Sequence, residues 1–69
     1  MFAKQLTEAL EVLAQAGRTI DPATITGAVH INVEGHRRTT ICHRGDFGRT
    51  AARTMVWWMP DGRTQVHII

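Results

Sequence analysis

Four histidines (His30, His36, His43 and His67) and one cysteine, Cys42, are the side chains that could hold a metal ion. Structural zinc takes four ligands, usually drawn from close pairs spaced C-x₂₋₄-C or H-x₃₋₅-H. His30 and His36 straddle the tight turn expected at Glu34-Gly35. Cys42 and His43 are neighbours, and neighbouring residues of a strand point to opposite faces. No set of four converges, so the histidines read as scattered surface residues, and no metal or cofactor is expected. Nucleophilic catalysis requires a cysteine or serine held by a histidine and a third, orienting group. The chain has no serine, and His43 is turned away from Cys42. Asp46 and Asp61 fall in separate loops and form no acid–base pair. Neither G-x-G-x-x-G nor G-x-x-x-x-G-K occurs, so Gly45, Gly48 and Gly62 read as turn glycines rather than a phosphate cradle. The tripeptide Asp46-Phe47-Gly48 matches the kinase metal-binding motif by accident, since the chain cannot hold a kinase. These readings point to a protein that is not an enzyme.

The remaining distinctive residue types suit contact rather than catalysis. Of the eight basic residues, all but Lys4 are arginine. Guanidinium groups make planar, bidentate contacts with carboxylates and phosphates and stack on aromatic rings; a GC-rich genome would produce the same bias. Charge is also unevenly placed. Residues 1–35 carry a net of −2, and residues 36–69 a net of +4. The second half also holds Trp57, Trp58, Met55 and Met59, types enriched at protein interfaces.

Sixty-nine residues make one domain, spanning 1–69. A chain of this size buries only about 60% of the surface its unfolded form exposes, so the core is small. Apolar content of 43% and charged content of 20% are ordinary for a globular fold and exclude a disordered chain. A single cysteine excludes an intramolecular disulfide, which makes an intracellular, cytoplasmic location the expectation. No apolar run approaches the roughly 20 residues that span a bilayer. Lys4, Glu8 and Glu11 interrupt the first segment, which therefore does not read as a signal peptide.

Phe2, Leu6, Ala9, Leu10, Leu13 and Ala16 recur at three- and four-residue spacing, predicting a helix over 1–16 with one apolar stripe. Gly17 stops it, and Asp21-Pro22 punctuates the chain. Four strands follow. Ile25, Val29, Ile31 and Val33 alternate with polar or small residues, predicting a half-buried strand with one apolar face. The stretch 37–43 (RRTTICH) is a polar second strand, placed nearer an edge because charge discourages stray pairing. Residues 51–59 form a third strand, and 65–69 close a second hairpin across Pro60-Asp61-Gly62. The fold expected is α+β: one N-terminal helix packed on one face of a four-stranded antiparallel sheet, in the order α-β-β-β-β.

One helix covers one face of such a sheet, and the other face meets water or a partner. Alternation then forces Trp57 and Trp58 to opposite sides. A type I turn with a glycine bulge pairs Met59 with Arg63, Val56 with Val66 and Thr54 with Ile68. That register puts Trp58 inside and leaves Met55, Trp57 and Met59 outside. A two-residue Asp-Gly turn would slip the register by one and reverse the assignment; proline favours the first. The expected binding residues are Trp57, Met55, Met59, Arg53, Arg63, Arg37 and Arg38.

In its format, with a helix over 1–16, an antiparallel sheet over 25–69 and no catalytic residues, the chain resembles the small single-domain inhibitors encoded by phages and mobile elements, such as anti-CRISPR proteins. The resemblance implies a protein that docks on a nucleic-acid-handling protein or nucleoprotein complex in the host cytoplasm and blocks it sterically. Many anti-CRISPRs are acidic DNA mimics, whereas this chain is basic. The alternative is a small nucleic-acid-binding module using an arginine- and tryptophan-bearing sheet face, although no helix-turn-helix, zinc finger or basic helix is legible. Self-association of the uncovered face into a homodimer is compatible with either reading.

Overall fold

The computed structural model describes residues 3–44 and 51–68. Helix α1 spans Lys4–Gln15, followed by a single 3₁₀ turn at Pro22–Thr24. The strands are β1 (Ile25–Val33), β2 (His36–Arg44), β3 (Ala51–Trp58) and β4 (Thr64–Ile68), forming one antiparallel sheet in the order β1-β2-β3-β4. The expected roles of Phe2, Asp46 and the 45–48 loop fall outside the described residues.

The helix ends where glycine permits it. Gly17 has φ 77°, the N–H of Arg18 donates to the Leu13 carbonyl at 2.8 Å, and that of Gly17 donates to Ala14 at 3.1 Å. This pair of bonds closes the last turn and satisfies carbonyls that would otherwise lack partners. The buried stripe of α1 is Leu6, Ala9 and Leu13, which meets Ile41 of β2 and Val56 of β3. Leu10, Val12, Ile25, Ala28, Trp58 and Val66 ring this cluster, half-buried.

Two buried threonines lie on the same side. His30 Nδ1 lies 2.8 Å from Thr39 Oγ1, and His43 Nε2 lies 2.9 Å from Thr54 Oγ1. Each imidazole satisfies a hydroxyl that would be costly to bury alone. His30 and His43 thus support the core.

Two turns set the register of the β1–β2 and β3–β4 pairs. Glu34 and Gly35 both have positive φ, 49° and 83°, the conformation of a two-residue hairpin turn whose twist matches its strands. This turn pairs Val33 with His36, Ile31 with Arg38 and Val29 with Thr40. At the other hairpin, the Met59 N–H donates to the Arg63 carbonyl at 2.7 Å, and Gly62 N–H donates to Met59 at 2.9 Å. Gly62 has φ 91°, as a glycine bulge after a type I turn requires. Thr54 pairs with Ile68 and Val56 with Val66, the expected register.

Two strand expectations need correction. β2 is central, not near an edge, because β1 folds back beside it and β3 takes its other side. Its arginines do not mark an edge: Arg37 and Arg38 stack on the tryptophans of the neighbouring strand. The apolar side of β1 is also not the side under the helix. Ile41 turns one face of β2 toward α1, and the tight turn then locks Val29, Ile31 and Val33 onto the opposite face. Val29 and Val33 are each 52% exposed.

Candidate docking face of the sheet

The face away from α1 is built in cross-strand rows. Ile31, Arg38, Trp57 and Gln65 make one row, and Val29, Thr40, Met55 and His67 make the next. Cys42 and Arg53 pair beyond them, while His36 and Met59 lie at the turn end. Trp57 is at the centre. The Arg38 guanidinium carbon sits 5.2 Å from its ring centroid, and His36 meets its edge at 6.4 Å with the rings 85° apart. A guanidinium over an indole is attracted by the negative charge of the ring face.

Two shallow grooves share Met55. The first, about 430 Å³, is lined by His36, Met55, Trp57, Met59, Gln65 and His67. The second, about 310 Å³, is lined by Val29, Arg38, Thr40, Cys42, Arg53 and Met55. Within the second, Arg38 Nε and Thr40 Oγ1 are buried without a hydrogen-bond partner. One groove is therefore apolar and aromatic, and the other is cationic.

No strand contains an aspartate or glutamate among the described residues. Among the described residues the carboxylates lie on α1 (Glu8, Glu11) or in turns (Asp21, Glu34, Asp61). The open face thus carries, among the described residues, Arg38 and Arg53 with no opposing charge beside them. Its chemistry is stacking, apolar contact and anion recognition. Cys42 is cross-strand from Gly27 and Arg53, and its strand neighbour His43 points to the other face toward Thr54. No imidazole stands in register beside the thiol to act as its base.

The expected binding residues separate into groups. Trp57, Met55, Met59, Arg53 and Arg38 share the open face. Arg37 does not, and this is a correction: it follows the alternation of β2 to the helix side. There its guanidinium carbon lies 4.7 Å from the Trp58 ring centroid, and Nη2 lies 3.7 Å from Glu8 Oε2. It braces the helix against the sheet. Arg63 sits in the β3–β4 turn, where its Nε donates to Asp61 Oδ2 at 2.6 Å. The residues missed in the sequence are Val29, Ile31, Thr40, His36 and His67. Counting pairs back from the Glu34-Gly35 turn would have found those on β1 and β2.

Two results are expected from this layout. Arg53→Glu should slow association with an anionic partner and weaken its salt dependence, because a face charge acts mainly through long-range attraction. Arg63→Glu should do so less, since the Arg63 charge is already offset by Asp61; stopped-flow association rates at two salt concentrations compare them. Chelator should leave the melting curve unchanged, because no three His, Cys, Asp or Glu residues cluster among the described residues. Loss of folding together with one equivalent of zinc would overturn that expectation.

No family model, curated protein or solved structure matches this chain. Among the described residues, no helix is long and apolar enough to cross a membrane.

Proposed function

We propose that the protein works by binding rather than catalysis, and that its open sheet face docks on an acidic surface of a protein or nucleoprotein complex. The effect is steric: the occupied surface loses access to nucleic acid, as with inhibitors of the anti-CRISPR kind. One observation carries this reading. Trp57 stands among Met55 and Met59 on a face whose described charges are all basic. Such a face lacks the opposite charge needed to bind a copy of itself and matches an acidic counterpart. Arg38 and Thr40 add unmet hydrogen-bonding capacity in the cationic groove, which carboxylates can satisfy after a small side-chain shift.

Affinity capture from host lysate tests this, using the parent, Trp57→Ala and Arg53→Glu side by side, with and without nuclease. The proposal predicts one protein, identified by mass spectrometry, that survives nuclease and is lost from both variants. Equal capture by parent and Trp57→Ala would defeat it.

The Arg38–Trp57 stack favours a second reading. An indole beside guanidinium groups can stack an unpaired base while arginines contact its phosphates. Titration with a thymidine oligonucleotide, followed by tryptophan fluorescence, separates the two. Binding that weakens steeply with salt and disappears in Trp57→Ala supports direct nucleic-acid contact.

A further inference from the structure

Strand β1 lies at the edge of the sheet and is nine residues long. An edge strand presents a row of unpaired backbone N–H and C=O groups, and natural proteins guard such rows with charge, proline, brevity or a bulge. β1 carries almost none of these guards. Its sequence, ITGAVHINV, contains no lysine, arginine, acid or proline. Its one irregularity falls between Ile25 and Gly27, which leaves 28–33 regularly paired with β2. The opposite edge, β4, is described over only five residues.

We propose that β1 pairs antiparallel with β1 of a second copy of this chain, forming one eight-stranded sheet across the dimer. Charge selects this occupant. Stacking two open faces would press Arg38 and Arg53 of each copy against like charges, with no carboxylate among the described strand residues to relieve them. Edge pairing places no formal charge opposite another. With Ile31 on the two-fold axis, it faces its own copy, Val29 faces Val33, and His30 faces Asn32. The half-exposed Val29 and Val33 then gain apolar neighbours across the seam. A two-fold axis perpendicular to the sheet keeps both helices on one side and both copies of Trp57 on the other. The inference does not depend on what the open face binds.

Light scattering across micromolar to millimolar concentrations tests it. The parent should reach twice the monomer mass. The double variant Val29→Lys/Val33→Lys should stay monomeric with an unchanged circular dichroism spectrum, while Trp57→Ala should remain dimeric. Should the lysine variant fail to fold, mild oxidation decides. In a Cys42→Ala background, Ile31→Cys should form a covalent dimer, because directly opposed strand residues lie within disulfide range. Ile68→Cys, on the other edge, should not. A parent that stays monomeric throughout overturns the proposal. So does a dimer that survives the lysines and is lost with Trp57, or an Ile31→Cys variant that cross-links no better than Ile68→Cys.

Discussion

Leu13→Ala should cost about 2–5 kcal/mol of folding stability. Leu13 is 1% exposed and sits where α1 meets Ile41 and Val56. Removing its branched end leaves a void that the surrounding strands cannot close, so the lost transfer energy and the cavity add. A chain of this length has roughly 3–10 kcal/mol of stability in total, so one substitution consumes much of it. Leu10 makes a useful contrast, being half-buried at the rim of the same stripe; Leu10→Ala should cost visibly less. Urea titrations of the three proteins measure both differences. Equal midpoints for Leu13→Ala and the parent would mean that the helix does not hold the sheet.

The second large effect falls on binding. Trp57→Ala should weaken partner affinity by about 2 kcal/mol or more, the scale of an interface hot spot and about thirtyfold in Kd. The side chain lies on the open face and lines the apolar groove, so its loss removes contact area without opening the core. Arg38 also loses the ring on which it stacks, which loosens the cationic groove next to it. Trp58→Ala should behave oppositely. Trp58 packs against the core cluster and under Arg37, so its removal should lower the melting temperature first.

Where the sequence carried a local signal, the fold was legible in advance. The three- and four-residue spacing of Leu6, Ala9 and Leu13 marked the helix, and Gly17 its end. Pro60-Asp61-Gly62 specified a bulged turn, and its register set Trp58 on the side of Val56, Val66 and Ile68 and Trp57 on the other. β1 and β2 were harder because alternation reveals two faces but not which one the helix covers. On β1 the apolar side looked like the buried one. Ile41 and the Glu34-Gly35 turn decide otherwise, through pairing between strands. Arg37 was misplaced for a related reason: two adjacent arginines on a strand cannot share a face, and only the strand's parity tells which belongs to the site. Thr39 and Thr54 gave no sign of being buried, because their partners His30 and His43 lie 9 and 11 residues away in sequence.

The central claim is that the side of β3 facing away from α1 is the working surface. Paired measurement of melting temperature and partner affinity for Trp57→Ala and Trp58→Ala tests it most directly, using the captured protein or the oligonucleotide, whichever the parent binds. The prediction is a Trp57→Ala protein that melts like the parent and binds at least thirtyfold more weakly, beside a Trp58→Ala protein that melts at a lower temperature. A Trp57→Ala protein that folds and binds like the parent would contradict it.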